Sequence, residues 1–504
     1  MPIIFNEDPN HYIYSRAKAG VKTVTEADLR AFIRQYRGTN ISDFLVCVNA
    51  SHPFFPTKRQ KSILDRYAEW EASGEIERHR DDFVVTSVKL LSDAYRSGLP
   101  FHQIWLDEIR ACGMRAWVSL RMNDIHNAED PNAFLPSDFV KAHPEYLRCA
   151  YRGPAAHPEW TLDYAVPEVR ALYLSLIEET LETFDLDGLE LDYMREPFCF
   201  AIGKEQEGLA LMTAFVGEAA AMVKKAEKRV GHKILLAARV PESPRKCMRL
   251  GLDVTEWAKR GYLDRVFVTP HWSSADSDMP IDLWRRILPE QTRLAAGLEV
   301  LLDAYNRKGR AYRKIDLDTA IGFGCAYQAL GAEDIYLFNF MDEVGEPSGA
   351  DSEHDILRGE RYRTLLSTLG DEEKCVAAKR KNIVTFGDTW MPAEQPRKPL
   401  PLRVQAGEYQ GLRIPTGVIL AGRRVTLRLG FERGLSMGED VSVYADCVRC
   451  RCLGKASPRY PAYDDMDYYD YEIRNHGDLP IVTVVEIAAL RGETAVHWAE
   501  IVVD

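Results

Sequence analysis

The sequence predicts a (β/α)8 TIM barrel, an α/β fold, followed by a smaller all-β, sandwich-like domain, and three observations predict it. From the start to about residue 345, eight short aliphatic or β-branched runs alternate with segments of helical period, the pattern of βα units on a parallel sheet. No Gly-rich phosphate turn follows the first run, although an open doubly wound sheet would normally carry one there. Beyond about Lys379 the helical period gives way to short alternating runs, as in a β-sandwich. We therefore expect a barrel over residues 1–377 and a β-domain over 378–504.

The eight runs are residues 3–6, 44–49, 115–121, 188–193, 233–240, 265–269, 292–300 and 334–340, with helical segments between them at 26–36, 167–184, 209–229 and 316–330. Pro167 suits the first turn of its helix. Two insertions, the charge-rich 51–98 and the Pro- and His-rich 123–162, lengthen loops on the face where a barrel carries its site. Pro392, Pro396, Pro399 and Pro401 read as a linker leading into the β-domain runs 424–429, 441–444 and 481–487. The acidic aromatic stretch Tyr463-Asp464-Asp465-Met466-Asp467-Tyr468-Tyr469-Asp470-Tyr471 reads as a solvated loop, with a sugar platform, a calcium loop or a subunit contact as alternatives.

A chain of 504 residues exceeds what one hydrophobic core supports. A formal charge of −12 opposes binding to nucleic acid or an anionic membrane, and no apolar run is long enough to span a bilayer. The N-terminus lacks the basic and apolar regions of a secretory signal, so a cytoplasmic location is expected. Of the ten cysteines, several sit in apolar runs, as Cys47 and Cys325 do, which is reduced, structural usage. Cys447, Cys450 and Cys452 lack the second pair that a zinc site needs and read as alternating strand cysteines. No metal and no organic cofactor is expected.

Strand ends converge on one face of a barrel, and here they are polar: Arg121-Met-Asn123-Asp124-Ile-His126, Glu190-Leu-Asp192-Tyr193-Met-Arg195, His271-Trp272, Asn339-Phe-Met-Asp342 and Asn6-Glu7-Asp8. Glu190 and Asp192 share one side of a strand while Leu189 and Leu191 face the helices. Glu190 is expected to pair with Arg115, Arg239 or Arg195 inside the barrel. Asp192, nearer the mouth, is expected to orient Arg195 or meet a hydroxyl. Arg121 and Arg195 facing one cavity need an anion or neighbouring carboxylates, which points to a carboxylate-bearing ligand. His126 suits proton transfer, with Asp8 to hold the imidazole or activate water. His271 and Trp272 offer a polar contact and an aromatic wall, and Asn123 completes the expected sugar contacts.

Arg121 with His126 five positions on, the Asp187-Gly-Leu-Glu-Leu-Asp-Tyr-Met-Arg195 segment and Asn339 together resemble the barrels of glycoside hydrolase family 156, which comprises inverting exo-sialidases. The resemblance spans roughly residues 1–345. It implies that Arg121 and Arg195 bind the sialic acid carboxylate, that Asn339 bonds the sugar, that His126 and Asp8 are the catalytic pair, and that the chain is a homodimer acting on sialylated glycans. Inversion requires room for a water between acid and base. Tyr193 is the rival, as the nucleophile of a retaining reaction, although a structural role in the pocket wall suits it better. Two other functions stay open: a glycosidase of neutral or uronic-acid glycans using Asp192 and Asp342, and a non-catalytic carbohydrate-binding protein.

Overall fold

In the computed structural model the eight runs are parallel strands that close on themselves: β1 (Ile3–Glu7), β2 (Ile41–Cys47), β3 (Arg115–Arg121), β4 (Gly188–Asp192), β5 (Leu235–Pro241), β6 (Arg265–Thr269), β7 (Arg293–Glu299) and β8 (Asp334–Phe338). Each pairs with its sequence neighbours, and β8 returns to β1. The structure describes residues 2–79, 82–130, 132–303, 313–342, 356–391, 398–433, 440–458 and 465–504. Pro392, Pro396, Tyr463 and Asp464 lie outside the described residues.

Strand parity decides which side chains fill the barrel. Ile4, Leu45, Trp117, Ala237, Phe267, Ala295 and Tyr336 form an inner apolar cluster, while Leu189 and Leu191 face outward into the helix layer. Trp117 is accommodated because position 188 is glycine: a Cβ there would lie 2.2 Å from the indole. Below this layer Asp43 accepts bonds from Arg115 (2.5 Å) and Trp117 Nε1 (2.8 Å) and pairs with Arg265 at 3.2 Å. The polar Ser42 and Asp43 hid the true start of β2, since Asp43 serves the barrel floor and not solvent. Glu190 lies above that layer, but no arginine holds it. It accepts from Ser119 Oγ (2.5 Å), Tyr336 Oη (3.2 Å) and Asn6 Nδ2 (3.3 Å), and burial pushes its carboxyl up to about 8. Neutral donors suffice because the group keeps its proton.

The helices follow their caps. Thr25 and Asp28 form a capping box at Glu26–Arg34, and Pro167 opens Pro167–Thr183. The insertion after β2 folds as further helices, Ile63–Ser73 and Phe83–Arg96 among them.

The β-domain contains two antiparallel sheets. With β9 (Arg380–Ile383), β10 (Leu402–Gln405), β11 (Tyr409–Pro415), β12 (Val425–Phe431), β13 (Val441–Ala445), β14 (Val448–Arg449), β15 (Arg451–Ala456), β16 (Asp467–Ile473), β17 (Val482–Ala489) and β18 (Glu493–Val503), the orders are β9-β18-β12-β16-β15, with β10 also on β18, and β11-β17-β13-β14. The strand β9 precedes Pro399 and Pro401, so these two prolines follow the first strand of the domain and do not lead into it. From Asp467 on, the acidic aromatic stretch is strand β16 and not a loop: Tyr468 and Tyr471 are buried, and Asp470 takes Arg428 at 2.7 and 2.9 Å.

One face of the larger sheet packs on the barrel, where Met466, Tyr468 and Trp498 join its core. The helix Leu317–Ala329 meets β9 closely because residue 322 is glycine; a Cβ there would stand 1.9 Å from the Lys381 carbonyl oxygen. Lys381 pairs with Asp316 (3.0 Å) and Asp318 (3.2 Å), and Asn382 Nδ2 donates to the Gly322 carbonyl (2.9 Å).

Candidate active site at the barrel mouth

Two cavities adjoin at the C-terminal ends of the strands. One, of about 370 Å³, is lined by Asn6, Asp8, Arg121, His126, Arg195 and Asn339 and walled by apolar side chains of the long loops, such as Phe54, Val84 and Leu135. The other, of about 330 Å³, is lined by Asp124, His126, His157, Arg195, Glu196, Trp272 and Asn339. Since His126, Arg195 and Asn339 line both, they form the wall between two parts of one cleft.

A chain of charged groups runs along that wall. Arg121 donates to Asp8 Oδ2 at 2.5 Å and to Asp124 Oδ2 at 3.2 Å. Asp124 in turn faces His126 Nδ1, at 2.9 and 3.0 Å from its two oxygens. His126 Nε2 meets Arg195 Nη2 at 3.1 Å. A guanidinium can only donate, so Nε2 is the acceptor there and Nδ1 carries the proton toward Asp124. The imidazole side chain is 46% exposed, which leaves it open to the cleft. Burial alone would raise the Asp124 carboxyl, but His126, Arg121 and Arg195 outweigh it and hold Asp124 well below the usual carboxylate range.

The arginines differ. Arg121 is neutralised by two carboxylates, whereas Arg195 has no carboxylate within ion-pair distance among the described residues. Burial, and then Arg121, lower the affinity of Arg195 for its proton, and its buried Nε lacks a hydrogen-bond partner. An anion entering the cleft would relieve both penalties.

The expected residues therefore divide. Asp8, Arg121, His126, Arg195 and Asn339 come together at the cleft. Of the two roles expected for Asp8, holding the imidazole falls to Asp124, which occupies Nδ1; Asp8 pairs with Arg121 and caps the following helix through the Asn10 amide (3.0 Å). Asn339 takes a left-handed φ of 60°, which asparagine tolerates better than most residues, and donates to both Glu299 oxygens at 3.1 Å.

Three expected sugar contacts are spent elsewhere. Asn123 clamps the Leu162 backbone through both ends of its amide (3.0 and 3.1 Å). Asp192 pairs with buried Arg239 at 3.2 Å and not with Arg195. His271 bonds the Arg195 carbonyl (3.0 Å) and so steadies the backbone of that arginine. Tyr193 is fully buried in the helix layer against Trp257 and Met212, outside the pocket wall. Asp342 lies 3.6 Å from Arg16.

Other residues of the site went unassigned in the sequence. Asp124 orients His126 from two positions away, a spacing that a local side-chain bond would have suggested. Glu196 directly follows Arg195; burial pushes its carboxyl up to about 8, and its buried Oε2 has no hydrogen-bond partner. Glu299, likewise raised to about 8 by burial, supports Asn339. Asp388 arrives from beyond β9 and accepts from the backbone amides of His271 (2.7 Å), Trp272 (2.9 Å) and Ser273 (2.6 Å), and nothing in the local sequence announces that role.

No family model and no curated protein matches the chain. Solved structures similar to it include α-L-fucosidase isoenzyme 2 of Paenibacillus thiaminolyticus, with 10% identity, a TM-score of 0.40 and coverage of 76% of this chain and 51% of that one. The glycoside hydrolase domain of PgaB (BpsB) from Bordetella bronchiseptica is 12% identical at a TM-score of 0.42, over 73% and 98%. The α-fucosidase of Thermotoga maritima is 11% identical at 0.33, over 92% and 79%. The chain spans about half the length of the Paenibacillus fucosidase. Likenesses this low transfer no residue role, so the family 156 resemblance rests on the residues of this chain.

Proposed function

We propose that the chain is a glycoside hydrolase, an exo-sialidase that cleaves terminal α-linked sialic acid with inversion. The observation that carries this reading is Arg195, a cleft cation without a carboxylate partner among the described residues, set against a histidine that Asp124 orients. The sugar carboxylate draws Arg195 away from Nε2. His126, now flanked only by Asp124, takes up a proton and delivers it to the leaving oxygen. Asp8, which lines the same cavity, accepts a proton from the attacking water. The bond from the anomeric carbon to the leaving oxygen breaks as the bond from water forms, and no covalent intermediate arises. The apolar wall of the larger cavity suits the acetamido methyl of the sugar.

A second reading is favoured by Glu196, which keeps its proton up to about pH 8 and lines the smaller cavity together with His126. In it Glu196 is the acid, Asp8 the base and the substrate a neutral or uronic-acid glycan. Aryl glycosides distinguish the two. Release from an aryl α-sialoside, abolished by His126→Ala and retained in Glu196→Gln, is the expected result. Release from only neutral glycosides, lost in Glu196→Gln, would replace the sialidase reading with the second.

A further inference from the structure

The two sheets of the β-domain part at their open edge. There β14 and β15 are the last strands of the two sheets, and the chain crosses from one to the other at Cys450. A cavity of about 610 Å³ opens between them, within the range of small-ligand sites. It shares no residue with the barrel mouth. Three arginines line it: Arg449, Arg451 and Arg474. Arg451 is paired with Glu472 at 2.9 Å, whereas Arg449 and Arg474 have no ion-pair partner among the described residues. Tyr471 lines the same cavity at only 2% exposure, and its hydroxyl is buried without a hydrogen-bond partner. A buried hydroxyl is ordinarily paired, so this one marks a missing acceptor or donor. Two guanidiniums without an ion pair among the described residues supply the matching charge preference.

We infer that this cavity is a second binding site, for an anionic sugar residue whose carboxylate meets Arg449 and Arg474 and whose hydroxyl meets Tyr471. The choice of a sugar among anions rests on the function proposed above; the charge and the unpaired hydroxyl do not. Such a site would hold an acidic glycan on the enzyme while its terminal residue enters the barrel.

The test uses the full chain and N-acetylneuraminic acid as probe, with bound equivalents counted by equilibrium dialysis. Two equivalents per chain are expected, with one lost in Arg195→Ala and the other in the double variant Arg449→Ala/Arg474→Ala. Both side chains of the double variant are at the surface, and its turnover of a soluble aryl sialoside should equal that of the parent. Tyr471→Phe, which keeps the packing, should weaken the β-domain equivalent by roughly threefold to tenfold. Methyl β-galactoside should not compete. Two equivalents in the double variant, or one equivalent in the parent that vanishes with Arg195→Ala, would overturn the inference. Should no sialoside be hydrolysed while one equivalent still depends on Arg449 and Arg474, the proposed function fails and this site stands.

Discussion

At the residue scale, each group of the site acts through a neighbour. Arg195→Ala removes the unpaired cation and should weaken binding of a sialoside by about 2–5 kcal/mol, read as a raised KM, while an uncharged glycoside shows no comparable change. Asp124→Asn leaves His126 without the carboxylate that fixes its tautomer and leaves Arg121 with Asp8 alone; turnover should fall by about 10²-fold or more with circular dichroism unchanged. Parental turnover in that variant would remove Asp124 from the account. The sequence made His126, Arg121, Arg195, Asn339 and Asp8 legible because they end barrel strands. Asn123, Asp192 and His271 also lie at strand ends, but their side chains bond protein partners. A strand end states where a side chain goes and not whether it is already bonded.

At the scale of elements, the barrel strands were legible because aliphatic runs of parallel strands differ so clearly from the amphipathic helices between them. Errors occurred where polar residues face inward, as Asp43 does. They also occurred in strand β16, where Asp467 and Asp470 alternate with Tyr468, which joins the barrel core, and Tyr471, which joins the sandwich core. Packing at Gly188 gives a direct check. Gly188→Ala drives a methyl into the Trp117 ring and should cost about 1–3 kcal/mol by overpacking, measured by urea unfolding; an unchanged midpoint would contradict the packing described for the barrel interior. Asp388 ties the segment after β9 to the His271–Ser273 turn. Asp388→Ala should therefore raise KM by loosening Trp272, with little effect on the far side of the barrel.

For the whole molecule, the buried carboxyls govern pH dependence. Glu190, Glu196 and Glu299 are raised from 4.5 to about 8, Glu7 from 4.5 and Asp276 from 3.8 to about 7, all by burial first. The folded chain thus binds these protons more tightly than the unfolded chain. Their contribution is fully present below the unfolded values and is lost as pH rises through about 7 to 8. The melting temperature should accordingly fall between about pH 5.5 and pH 8.5, and Glu190→Gln should flatten that fall. A melting temperature that rises over the same interval would contradict the burial assigned to these groups. The β-domain shares its core with the barrel through Met466, Tyr468 and Trp498, so calorimetry should record one unfolding transition and not two.

Proton NMR of an aryl α-sialoside tests whether the barrel mouth hydrolyses a sialoside with inversion through His126 and Asp8. β-Sialic acid should appear first, and the signal should be absent in His126→Ala and in Asp8→Asn. The α-anomer appearing first, or no release from the parent enzyme, would contradict that reading.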